Sequence, residues 1–277
     1  MRLALCAEGI DELDFAAQCA FARAVGFAGL ELEPRSLGDR PHLLPAAQRV
    51  AMRRIAEDHG IAIAGLHSIL YTPPGLSITV ADPETWRRTL DVMQRLCALC
   101  ADLGGSYLVH GSAEQRRLSP STAAADRARG VEAFAMGAQA AAALGLHYFI
   151  EPIRPSRTNF VNTIAEAAEI VDAIGNPALS TMLDCLSADE AEAEPLPALL
   201  ERWLPTGKIG HVHLNDRNRR GPGQGEMRFA AILRALRRHD YGGWIAVEPF
   251  VFEPDGRSAA ARAAGYVQGL LEAIGDA

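Results

Sequence analysis

The chain has no run of about eighteen uncharged apolar residues, the length that a membrane-crossing helix requires. Its Ala-rich stretch at 131–146 carries Glu132 and Gln139 and reads as an ordinary helix. The first eight residues are a short apolar run that soon meets Gly9 and the acids Asp11, Glu12 and Asp14. A secretory core would be longer and would end in small residues, so the expectation is a cytoplasmic protein with no membrane partner. Basic residues are outnumbered, 27 Lys and Arg against 34 Asp and Glu, for a formal net charge of -7. That balance opposes a nucleic-acid partner. Cysteine is sparse: five residues, odd in number and scattered, make no disulfide framework. Cys97 and Cys100 form one C-x-x-C inside a helical pattern, with no second pair to complete a zinc site. Also missing is a glycine-rich phosphate turn after the first predicted strand, where residues 3–11 hold only Gly9. This argues against a doubly wound dinucleotide-binding sheet.

What the sequence does have is apolar mass and a regular alternation. Of 277 residues 49% are apolar and 22% charged, enough to build a sizeable core. Short apolar runs at 3–7, 28–32, 61–66, 106–109, 146–150, 179–183, 209–214 and 244–247 read as strands. Helical patterns follow them at 14–25, 45–59, 84–103, 122–144, 163–174, 197–203, 228–239 and 258–274. Strands apolar nearly throughout are covered on both faces, as in a parallel sheet. Eight strand–helix units in this length predict a single (β/α)8 barrel domain over residues 1–277, an α/β fold. The long segments 68–83, 111–121, 152–162 and 215–225 all follow strands, which places them on the C-terminal face where such barrels build their sites.

The residues that close the strands carry the chemistry. Glu151 ends the fifth strand, Asp184 the sixth and Glu248 the eighth, and His213 lies near the end of the seventh. The gaps are 33, 29 and 35 residues, each about one repeat, so consecutive strands bring the four side chains to one rim. Three carboxylates crowded together repel and take up protons, and a divalent cation removes that cost. An oxygen-rich set with one imidazole suits Mn2+ first, with Mg2+, Co2+ or Zn2+ as the other candidates. His211 and His213 alternate with Val212 and Leu214, so both look into the barrel, His211 deeper and His213 nearer the mouth. His211 is expected to be a hydrogen-bonded support. His67 and His110 end the third and fourth strands and are expected to present polar groups to the same pocket.

These residues give the chain a resemblance. Phe27–Glu31, Ile150-Glu151-Pro152, Met182-Leu183-Asp184, the stretch from Gly210 to Gly225 and Val247-Glu248-Pro249 resemble the sugar isomerase/epimerase family of xylose-isomerase-like barrels, which includes the ketose 3-epimerases such as those of D-tagatose and D-psicose. The resemblance covers nearly the whole chain. It implies that Glu151, Asp184, His213 and Glu248 bind one divalent ion, and that Glu151 and Glu248 also serve as the acid/base pair. It implies epimerisation or isomerisation of a keto sugar through a metal-stabilised cis-enediolate, and a homodimer or homotetramer. Arg219, six residues beyond the ligand histidine, stands where the family places a substrate contact. Two positions depart from the pattern. Ser187 replaces a substrate-binding histidine, and Arg157 replaces a substrate-binding glutamate. With Arg154 nearby, the three arginines suit a carboxylate or phosphate, so an acidic or phosphorylated sugar is the expected substrate class. A metal-dependent decarboxylase or dehydratase acting on a keto-sugar acid through the same enolate is the alternative.

Overall fold

The computed structural model describes residues 1–275, and its strands close into a barrel in sequence order, every neighbouring pair parallel. The strands are β1 (Arg2–Cys6), β2 (Gly29–Leu32), β3 (Ala62–Leu66), β4 (Tyr107–His110), β5 (His147–Ile150), β6 (Leu179–Asp184), β7 (Ile209–Leu214) and β8 (Trp244–Val247). The helices are α1 (Phe15–Val25), α2 (Ala46–Asp58), α3 (Pro83–Asp102), α4 (Ala123–Ala142), α5 (Ile164–Ile174), α6 (Cys185–Ala191), α7 (Leu196–Trp203), α8 (Phe229–Arg238) and α9 (Gly256–Gly275). This is the (β/α)8 barrel expected from the alternation of the sequence. No helix among the described residues is long and apolar enough to cross a membrane.

Local chemistry sets the helix ends. Asp14 and Asp82 accept from the backbone N–H groups of Ala17 and Thr85 at 2.8 Å, and Thr163 does the same for Glu166 at 3.2 Å. Gly26 and Gly175 end α1 and α5 in the left-handed conformation, with φ of 99° and 66°. The sequence pattern showed no helix at α6, and the structure supplies the reason for it. Asp184, the last residue of β6, is its N-cap and accepts from Ser187 N at 2.7 Å. A helix of this length is made by its cap and its burial rather than by an apolar period.

Two layers of apolar side chains divide along each strand by its period of two. Ala4, Cys6, Tyr107, Val109, Phe149, Met182, Trp244 and Ala246 pack inside the barrel. Leu5, Leu30, Leu108, Tyr148, Ile150, Leu183, Val212 and Val247 face the helices and join the larger outer core. The inward parity carries from Met182 to Asp184 and His211 to His213 within β6 and β7, and one residue past the strand end from Phe149 to Glu151 and Ala246 to Glu248. Register shifts at Leu30/Glu31 and Thr181/Met182 fall beside this rim.

Candidate active site

A cavity of about 550 Å³ opens at the C-terminal mouth of the barrel. Glu151 and Asp184 line it, and with the fully buried His213 they offer ligand atoms that all lie within 4.8 Å of one another. Glu248 joins them, its Oε2 lying 3.1 Å from His213 Nδ1. Asn215 bridges the set, its Nδ2 donating to Asp184 Oδ2 at 2.5 Å and to Glu248 Oε2 at 3.1 Å. The four residues expected as ligands are therefore brought together from β5, β6, β7 and β8. Gly111 makes room for them, since a Cβ at that position would collide with Glu151 Oε2.

The imidazole is oriented for coordination. His213 Nε2 lies 2.8 Å from Glu31 Oε1, and its Nδ1 faces the cluster, 3.1 Å from Glu248 Oε2. A ring that donates from Nε2 to a carboxylate presents the Nδ1 lone pair to the carboxylate cluster, the arrangement by which a carboxylate fixes the tautomer of a metal-binding histidine. The donor set therefore fits a divalent cation. Glu31 is fully buried on β2 and also accepts from Tyr107 Oη, while His211 Nε2 lies 2.9 Å away. His211 sits one layer deeper, with Nδ1 3.0 Å from Trp244 O, as a support.

His67 lines the cavity, its Nε2 paired with Glu8 and its Nδ1 3.2 Å from Glu248 Oε1. His110 does not reach the cavity, and this corrects the reading of the fourth strand. The inward residues of β4 are Tyr107 and Val109, so His110 points outward beneath α4. There its Nδ1 lies 2.7 Å from Tyr148 Oη and its ring meets Phe134 edge-on at 5.0 Å. Burial, reinforced by the charge of Arg116, keeps its pKa well below the ordinary imidazole value. The next inward position after Val109 is Gly111, the glycine that admits Glu151.

Ser187, Arg154, Arg157 and Arg219 all line the cavity. Ser187 acts on Asp184 through its backbone N–H. Arg154 has its nearest carboxylate, Glu190, at 3.6 Å. Arg219 adopts φ of 67° and its guanidinium lies over Phe250, while its carbonyl accepts from Phe250 N and Val251 N at 2.8 and 2.9 Å. That pairing ties the 215–225 loop to the exit of β8. Arg116 carries a fully buried guanidinium that donates to Glu151 O at 2.6 Å and to His110 O at 3.3 Å. It holds the end of β5 in place. Glu31, Glu8, Glu33 and Arg116 were not singled out by the sequence reading, and only Glu31 carried a signal there, as an acid inside an apolar strand.

The sequence profile of the xylose isomerase-like TIM barrel family matches residues 19–270. The chain belongs to this family. It is 25% identical over 242 residues to a probable ketose 3-epimerase of Synechocystis, covering 84% of this chain and 77% of that one. It is 29% identical over 209 residues to the D-psicose 3-epimerase of Agrobacterium fabrum, covering 74% and 70%. The solved 3-keto-D-glucoside 4-epimerase of E. coli shares the fold with a TM-score of 0.82 at 19% identity, over 98% of this chain and 99% of that one.

The electrostatics of this family member follow from four buried groups in one place. Burial, then the charges of Glu248 and Asp184, push the Glu151 carboxyl up to about 8. Burial and Glu248 raise Asp184 as well. Burial would also raise Glu248, but His213 and His67 outweigh it and bring that carboxyl down to about 2. Burial opposes a charge on His213, yet Glu248 and Glu31 overcome it and hold the imidazole well above its ordinary value. Without a cation the site therefore holds protons on Glu151 and His213 near neutral pH, and ligation must expel them. Titration of Mn2+ into metal-free protein at pH 7, in buffers of different ionisation enthalpy, is expected to show net proton release. Apparent affinity is expected to rise as pH increases from 6 through 8. Proton uptake, or affinity flat over that range, would contradict this assignment of charge.

Proposed function

We propose that the chain is a divalent-metal-dependent epimerase or isomerase of keto sugars, with Mn2+ as the preferred ion and the 277 residues forming one barrel domain. The observation that carries this reading is the pairing of Glu151 and Glu248, two cavity carboxylates that meet the same imidazole, His213, from β5 and β8. A divalent cation held by Glu151, Asp184, His213 and Glu248 supplies Lewis-acid polarisation of a carbonyl, which makes the neighbouring C–H acidic. One glutamate removes that proton from one face of the substrate, and the other delivers a proton to the opposite face, inverting the carbon. Delivery to the adjacent carbon gives isomerisation instead. His67 holds Glu248 from behind, and Arg116 fixes the backbone of Glu151. The family relatives named as ketose 3-epimerases support the same chemistry.

The substrate carries an anionic group. Arg157 and Arg219 face the cavity, and among the described residues no carboxylate lies within salt-bridge distance of either side chain. Guanidiniums left free in this way select a carboxylate or phosphate. The protein acts in the cytoplasm as a homodimer or homotetramer.

Two measurements test this. In D2O, the Mn2+-loaded protein is expected to place deuterium beside the carbonyl of a responding keto sugar without change of formula. Glu151→Gln and Glu248→Gln are each expected to lower turnover by about a hundredfold or more. Substantial turnover in both variants would remove the pair from this role, and loss of water or carbon dioxide from the substrate would replace the epimerase reading by a lyase. Separately, Arg157→Ala is expected to raise KM for a keto-sugar acid or phosphate by about tenfold, with little change for the neutral analogue. Equal changes for both would contradict an anionic substrate.

A further inference from the structure

Of the five cysteines, Cys19, Cys97, Cys100 and Cys185 pack in the outer core, and Cys6 packs inside the barrel with Ala4 and Ala246. The strand register explains where that thiol lands. Cys6 pairs with Glu31 on β2, while Leu5 pairs with Val247, the residue before Glu248 on β8. Cys6 therefore stands at the rim between two carboxylates. It is 1% exposed, and its Sγ has no hydrogen-bond partner among the described residues. Cys100 differs, since its Sγ donates to Tyr107 O at 3.2 Å.

Cation-ligating groups surround this thiol. Cys6, His213 and Glu248 offer ligand atoms that all lie within 4.8 Å of one another, and so do Cys6, Glu31 and His67. The second set is committed elsewhere: Glu31 is held by His213, His211 and Tyr107, and His67 by Glu8. The first set keeps its ligand atoms turned toward the cluster, with His213 Nδ1 3.1 Å from Glu248 Oε2. By strand order, β5 and β6 bring the oxygens of Glu151 and Asp184 to one side of the His213–Glu248 pair, and β1 brings the sulfur of Cys6 to the other. Hard ions such as Mn2+ take the oxygen side, and thiolate draws soft ions. A Zn2+–S bond of about 2.3 Å and a Zn2+–N bond of about 2.0 Å span gaps of this order. An ion enters such a set by replacing protons on its ligand atoms, and Glu248 opens the set to the substrate cavity. We propose that Cys6, His213 and Glu248 form a second cation position, overlapping the first, that takes thiophilic divalent ions such as Zn2+ and Cd2+.

This rests on the reading of His213 and Glu248 as cation ligands, and adds to it a thiolate and a class of ion. Because the two positions share those ligands, a chain holds one ion or the other. An ion drawn to Cys6 leaves Glu151 and Asp184 without the cation that offsets their repulsion. Cys6 thereby makes the catalytic arrangement depend on a hard ion, and lets a thiophilic one occupy the protein in the wrong place.

The test is titration of Cd2+ into the full chain, followed by the ultraviolet charge-transfer band of a Cd2+–thiolate bond. Bound Mn2+ is followed in parallel by electron paramagnetic resonance. Wild type is expected to develop the band, and the same Cd2+ is expected to displace bound Mn2+. Cys6→Ser and Cys6→Ala are each expected to lose the band and to weaken Cd2+ binding by about tenfold or more. Both are expected to bind Mn2+ as wild type does, which also reports an intact barrel. A wild type that binds Mn2+ but shows no thiolate band would overturn the proposal and leave the epimerase site standing. A wild type that binds neither ion would overturn both. A band that survives in Cys6→Ser and vanishes in Cys97→Ser would overturn the proposal and assign the thiolate to the Cys97/Cys100 pair. Cd2+ and Mn2+ held by one chain together would overturn the overlap of the two positions.

Discussion

Three carboxylates and an imidazole buried at one point of a barrel rim cannot all hold their ordinary charge. Desolvation penalises each ion, and the acids repel one another across a few ångströms. The protein meets this in two ways. It spreads part of the strain into protonation, with Glu151 pushed up to about 8 and Glu248 drawn down to about 2 beside His213 and His67. It also turns His213 Nδ1 toward the acids, 3.1 Å from Glu248 Oε2. A divalent cation would resolve the remaining imbalance, and much of the surrounding structure makes sense as support for such a resolution.

That support is drawn from all round the barrel. Glu31 on β2 reaches across to His213 and fixes the ring. Its own charge is opposed by burial, but His211 and His213 hold it well below the usual carboxylate range. Tyr107 on β4 adds a hydroxyl to the same carboxylate. Asp184 caps α6 while it contributes to the cluster, so the site and the first helical turn after β6 stabilise each other. Asn215 holds Asp184 and Glu248 together and accepts from Leu186 N at 2.8 Å. A strand-end residue in this barrel thus serves the fold and the chemistry through the same atoms.

How far the sequence revealed this depends on the element. The barrel was legible because several strands are apolar nearly throughout and short strands alternate with helical periods eight times. The convergence of Glu151, Asp184, His213 and Glu248 was legible because they recur at about one repeat length and at or near strand ends. His110 was misplaced by parity. A strand end does not say which face its last residue takes, and on β4 the inward pair is Tyr107 and Val109. Glu31 was visible as an acid within an apolar strand, but its partners come from β4 and β7, far away in the chain. Arg116 sits in a loop with no period at all, and only the closed barrel shows that it grips the carbonyl of Glu151. The helix α6 was hidden because its cap is also a strand-end residue. The arginines at the mouth could be named from sequence, but that Arg157 and Arg219 face the cavity unpaired emerges only in three dimensions.

The central claim is that His213 and three carboxylates hold one cation, with His67 and His211 serving as supports outside its coordination shell. Pulsed electron paramagnetic resonance of the Mn2+-loaded protein tests it most directly, since a bound imidazole nitrogen couples to the ion. The account predicts one such nitrogen, retained in His67→Gln and in His211→Gln and lost in His213→Gln. A nitrogen coupling that survives in His213→Gln, or wild-type protein that binds no Mn2+, would contradict it.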